Sequence, residues 1–99
     1  MFMEQKGARP DHIGKSYPGG YRIEDEIIEP HGERKLIYLQ RIRFRDDSRL
    51  EYRFTYYVIA SKGRVRGRWV FGRNSLFLPP AKLAILLSEA KKRNWEGFE

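Results

Sequence analysis

Arginine at every second position is the chemistry this sequence offers most plainly: Arg41, Arg43 and Arg45, then Arg49 and Arg53, then Arg64, Arg66 and Arg68. A guanidinium is always charged and presents a planar fork of N–H donors, which suits phosphate oxygens. An alternation of this kind is also the repeat of a β-strand, whose successive side chains point to opposite faces. Rows on consecutive hairpin strands, about 4.8 Å apart, would make a cationic plate about two to three phosphates wide. Only Glu51, joined by Glu24 and Glu26 if the first strand belongs to the sheet, would offset those eight charges. Tyr57 stands among the arginines of its strand, and Trp69 follows Arg68, so both are candidates to stack on unpaired bases, an interaction worth about 1 to 3 kcal/mol per base. Basic rows with aromatic rings between them suit single-stranded nucleic acid, whereas duplex readers usually insert a helix. The competing reading is an exposed sheet face whose arginines pair with acids across strands and guard its edges.

Catalytic groups are sparse. His12 and His31 are isolated in sequence, one in the N-terminal arm and one in a turn, so neither a metal pair nor a base with its nucleophile is expected. Glu24-Asp25-Glu26, or Asp46-Asp47 with Glu51 and Arg53, could be drawn as a magnesium-dependent nuclease centre, but turn chemistry alone explains adjacent acids in a hairpin turn. Gly63, Gly67 and Gly72 lack the spacing of a phosphate-binding loop. The chain has no Cys, which removes disulfides, thiolate nucleophiles and Cys-ligated zinc, and permits a reducing compartment. The expectation is a protein that is no enzyme, with no catalytic residues, no metal and no cofactor.

The elements that must position the arginines follow from periodicity. Tyr21, Ile23 and Ile27 alternate with Arg22, Glu24 and Glu26, which predicts a strand over 21–28. Pro30-His31-Gly32 makes a turn. A second strand over 36–44 places Leu36, Tyr38, Ile42 and Phe44 opposite Arg41, Arg43 and Arg45. After Asp46-Asp47-Ser48, a third over 50–60 puts Leu50, Tyr52, Phe54, Tyr56 and Val58 opposite Arg49, Glu51, Arg53, Thr55 and Tyr57. A fourth over 64–71 places Val65, Trp69 and Phe71 opposite Arg64, Arg66 and Arg68, with Gly67 and Gly72 at a bulge or bend.

Residues 79–95 change period. Pro79-Pro80 suits a first helical turn, Leu83, Leu86, Leu87 and Ala90 form a stripe, Lys91, Lys92 and Arg93 favour the C-terminal dipole, and Gly97 supplies the stop. The expected fold is therefore α+β: a four-stranded antiparallel sheet followed by one C-terminal helix. Residues 1–20, with four Gly and two Pro, read as a mobile arm, and 21–99 as one domain. One helix of about 16 residues spans roughly 24 Å and cannot cover four such strands. The ring-rich face formed by Tyr38, Phe44, Tyr52, Phe54, Tyr56, Trp69 and Phe71 then needs a second subunit, the arm or stacked bases as further cover.

Size and composition agree. Ninety-nine residues suit one domain with a modest core, and 14% aromatics are too many for a disordered basic tail. A net charge of +7 and a pI near 9.9 favour polyanionic partners. No apolar run approaches the roughly 20 residues of a membrane span and the N-terminus lacks an apolar signal core, so a cytoplasmic protein without a membrane partner is expected. Thirteen Arg against seven Lys are compatible with a thermophile.

Gly67-Arg68-Trp69-Val70-Phe71-Gly72-Arg73-Asn74-Ser75-Leu76-Phe77-Leu78-Pro79-Pro80, entered from four antiparallel strands and running into a helix, resembles the corresponding segment of the PC4-like, Whirly-type coactivators that bind single-stranded DNA. The likeness covers about residues 36–95. It implies a homodimer joined through its helix, holding single-stranded DNA along its sheet, with Arg66, Arg68 and Arg73 near the strand. Trp69 and Phe71 within the Gly-Arg strand, and the long N-terminal extension, depart from that pattern. A vaguer similarity is to small single-stranded DNA-binding proteins of thermophiles. The function expected is sequence-tolerant binding of single-stranded nucleic acid, with a subunit that docks on an acidic protein partner as the alternative and a magnesium-dependent nuclease behind both.

Overall fold

Leu36-Ile37-Tyr38-Leu39 is apolar at four successive positions, and a strand of that kind is stable only where both of its faces are covered. The computed structural model, which describes residues 9–99, puts this stretch in the middle of one antiparallel sheet. The class is the expected α+β, but the sheet has five strands. They are β1 (Ser16–Tyr17), β2 (Tyr21–Pro30), β3 (Lys35–Phe44), β4 (Leu50–Ile59) and β5 (Trp69–Phe71), each paired with the next in chain order. The sheet curls into a half-barrel, and the helix α1 (Pro80–Lys92) follows. Among the described residues no helix is long and apolar enough to cross a membrane.

On the outer face, Ile27, Ile37 and Leu39 pack with Leu86 and Ala90 of α1 and with Trp95 beyond it. The concave face buries Ile23, Tyr38 and Ile42. Leu36 stands opposite Tyr57 and Arg41 opposite Tyr52, so even positions of β3 share a face with odd positions of β4. The expected gathering of all the rings on one face is therefore corrected. Tyr52 and Tyr56 lie on the helix side, while Tyr38, Phe44, Trp69 and Phe71 lie on the concave side.

A bulge between Ile23 and Asp25 shifts the phase of β2. One extra residue reverses which side chains face the core. Tyr21 and Ile23 consequently share the concave face with Glu26, whereas Ile27 turns to the helix.

The helix ends earlier than its expected limit at 95, and Asn94 rather than Gly97 makes the stop. Asn94 adopts φ +58, its amide donates to the Lys91 carbonyl at 3.0 Å, and the Trp95 amide donates to Ala90 at 3.1 Å. This pair of bonds is a Schellman cap, and its usual apolar closing contact is supplied by Trp95. The indole is fully buried, stacks on Tyr52 at 5.4 Å and 3° between planes, and donates Nε1–H to Asp25 at 3.2 Å.

Two further expectations change. Of the arm read over 1–20, residues 1–8 lie outside the described residues. Residues 9–20 contain β1 and dock on the concave face, where Tyr38 donates to the Pro10 carbonyl at 2.7 Å and His12 is buried. The strand read over 64–71 is real only at Trp69–Phe71. Residues 61–68 turn over instead, held by Gly67 to Ala60 and Arg68 to Val65 backbone bonds, both 2.9 Å, with Gly67 at φ +84.

Replacing Trp95 by Ala should destabilise the fold by about 3 to 5 kcal/mol, because a buried ring, its stack and the closing contact of the cap are lost together. Urea denaturation measures this, and a loss below about 1 kcal/mol would show that the C-terminal turn is dispensable.

Candidate nucleic-acid interface

The eight arginines of the expected plate separate into five environments. Arg41 and Arg43 project to the helix side, where the bulged Glu24 takes both, at 3.3 and 3.2 Å. Burial raises the pKa of that carboxyl, but Arg43, Arg41 and Arg22 outweigh burial and hold it below its ordinary range. Arg49 lies over the Phe44 ring at 3.9 Å and is held by Asp46, Asp47 and Glu51 at 3.4, 3.2 and 2.7 Å. Asp46, Asp47 and Glu51, one of the two acid sets that could be drawn as a nuclease centre, are thus partners of one guanidinium, and the Arg49 amide with its side chain keeps the Asp47 pKa low. Arg45 donates to the Tyr17 carbonyl at 3.4 Å. Side-by-side Arg rows do not form, since the β3–β4 register sends Arg53 to the face opposite Arg41 and Arg43.

Arg53 belongs to a network on the concave face that the sequence reading missed. It donates to Gln40 Oε1 at 3.0 and 2.8 Å and to the Tyr21 hydroxyl at 3.3 Å. Gln40 donates to Glu26 at 2.9 Å, and His12 lies 2.9 Å from Glu26 through Nδ1. His12 Nε2 lies 2.8 Å from the Tyr57 hydroxyl, so the ring bridges Glu26 and Tyr57. Burial above all, helped by Tyr17 and Glu26, pushes the Tyr57 pKa up, which keeps this hydroxyl protonated. His12, expected to be isolated, is in truth tied to Glu26 across 14 positions and to Tyr57 across 45. The hint in the sequence is Gln40, a polar residue at the parity of β3 that Leu36, Tyr38, Ile42 and Phe44 otherwise keep apolar. Tyr57 is no free platform either: its ring stacks near His12 and meets the edge of Phe71.

Arg64, Arg66, Arg68 and Arg73 stand apart. The first three lie in the β4–β5 loop and the last just beyond β5, all exposed, and Lys62 joins them. Among the described residues none of these five side chains makes a hydrogen bond or ion pair. Trp69, half-buried opposite Ile59, and the half-exposed Phe71 occupy the strand between them. Phe77, 84% exposed, follows. A plain signal marks this region in the sequence: no acid occurs between Glu51 and Glu89, while seven cations do. Two of the seven, Arg53 and Lys82, are engaged by Gln40 and Glu29. The remaining thirteen cations of the chain equal its thirteen acids, so this acid-free segment carries the whole net charge.

Two consequences can be measured. His12→Ala leaves a buried carboxylate with only Gln40 and a backbone amide, which should cost about 3 kcal/mol in urea denaturation. A loss within about 0.5 kcal/mol would show that the network is not structural. Folding lowers the Glu24 pKa, so its contribution is complete above the ordinary value of 4.5 and drains away as pH falls through the lower folded value. Glu24→Gln should therefore flatten the decline of Tm between about pH 5 and pH 3, and an unaltered profile would assign the acid sensitivity to other carboxyls.

Searches against protein-family models, curated proteins and solved structures return no match for this chain, which leaves the geometry of its own residues to point to a function.

Proposed function

We propose that the chain binds single-stranded nucleic acid without marked sequence preference, and that it does so by binding alone, without catalysis, in the cytoplasm. The observation that carries this reading is the set of five unpartnered cations, Lys62, Arg64, Arg66, Arg68 and Arg73, concentrated in twelve residues with no acid beside them. Like charges so close repel one another, and a phosphate chain relieves that repulsion while releasing its own counterions. Trp69, Phe71 and Phe77 add ring surface next to the cations, which a strand of unpaired bases can use and a closed duplex cannot. The arginines of the sheet proper, Arg41, Arg43, Arg49 and Arg53, serve the fold in this reading. A homodimer joined through α1, as the likeness to PC4-like coactivators implies, belongs to the same reading.

A second reading, docking on an acidic protein, draws on the same cations and on the exposed Phe77 and Phe54. The two separate by fluorescence anisotropy with labelled single-stranded and duplex oligonucleotides over a range of salt. Five phosphates neutralised give a log–log slope of about −3.5, or roughly a hundredfold loss of affinity between 50 and 200 mM salt. Changing Arg64, Arg66 and Arg68 together to Ala should shrink that slope by about 2, while Arg49→Ala leaves it unchanged. A flat salt response, or no binding at low salt, would favour the acidic-protein reading.

A further inference from the structure

A strand held by its phosphates leaves its bases free, and the helix side of β4 and β5 has a place for one. There a groove of about 560 Å³ opens between Tyr56, Val58, Val65, Val70, Arg73 and Asn74, within the volume range of sites for small molecules. Val58 and Val70 are cross-strand partners, and Val65 comes from the cationic loop between them. Gly72 lies flat against the Tyr56 ring, where a Cβ would fall 2.1 Å from the ring carbons, so the backbone passes this wall as closely as it can.

The polar groups of the groove are divided sharply. The Tyr56 hydroxyl is committed to the backbone of Asn74, donating to its carbonyl and accepting from its amide, both at 3.1 Å. Those two bonds pin residue 74, while its side-chain amide has no partner among the described residues. An unused carboxamide offers a donor and an acceptor side by side, the pattern that pairs with the edge of a base. Arg73, equally unpartnered, adds a cation beside it. Apolar walls, a donor–acceptor pair and an adjacent cation match the face, edge and phosphate of one nucleotide.

We infer that this groove is a subsite for a single unpaired base of the bound strand, with Asn74 on the base edge and Arg73 on the adjoining phosphate. The inference rests on the nucleic-acid reading above and gives the strand a fixed position on the hairpin. It also predicts a modest preference among bases, superimposed on binding that is otherwise tolerant of sequence. The carboxylates of an acidic peptide could satisfy Arg73, but they only accept and leave the Asn74 side-chain carbonyl without a donor.

The test uses the full chain labelled with nitrogen-15 and follows the amide resonances of Val58, Val65, Val70 and Asn74. Nucleoside 5′-monophosphates should shift them, and inorganic phosphate or a glutamate-rich peptide should not. In parallel, affinities for dA, dC and dT homopolymers are compared in the original chain and in Asn74→Ala. The variant should lose a preference of about fivefold or more and keep its salt slope. Shifts that phosphate or the peptide reproduces would overturn the subsite, as would a base preference that Asn74→Ala leaves intact. If homopolymers bind but nucleotides move none of the four resonances, the subsite falls while the binding function stands. If nucleotides move them and homopolymers do not bind, the subsite stands and the strand reading falls.

Discussion

A strand buried on both faces requires two covers, and β3 imposes that requirement on the rest of the chain. The helix supplies one cover, locked down by the Schellman cap that turns Trp95 onto Tyr52. The other comes from the curl of the sheet and from residues 9–20, whose His12 closes over Glu26 and Tyr57. Each cover brings an acid that must be satisfied: the part-buried Asp25 receives the indole N–H and Arg93 on one side, and the buried Glu26 receives His12 and Gln40 on the other. Adjacent acids on one strand thus serve opposite faces.

The same requirement sorts the charges. Arginines close to the packed layers meet acids placed by the bulge and the turn, so Glu24 holds Arg41 and Arg43 while Asp46, Asp47 and Glu51 hold Arg49. Exposed ion pairs such as those of Arg49 contribute little each, and the wider effect of both sets is to use up the cations of the sheet. What is left over lies on a hairpin that the core does not need. A short edge strand crowded with positive charge also resists pairing with another sheet.

Much of this was legible in the sequence. Alternation located β2, β3 and β4 within a few residues, and the change of period located the helix. Which face each residue takes was not legible, because parity depends on one bulged residue at Glu24 and on the length of the β3–β4 turn. Where a strand is apolar on both sides, as at Leu36 to Leu39, the pattern carries no mark of its orientation. His12 was missed for a related reason: a histidine in a Gly- and Pro-bearing segment shows no period, and its partner lies 14 positions away. Arg64, Arg66 and Arg68 alternate as a strand would, yet Gly63 and Gly67, at φ +80 and +84, bend that stretch into a loop.

The acid-free segment has an electrical consequence for the molecule as a whole. The body of the fold is neutral in sum, and all seven excess charges belong to residues 52–88, five of them exposed near one edge of the sheet. Such a distribution concentrates the excess positive charge at the β4–β5 hairpin. In the field of any extended anion the molecule would turn before it touched, so orientation would precede contact. The hairpin could also gain or lose charge through substitution with little effect on the neutral body, leaving the strength of that steering free to change independently of stability.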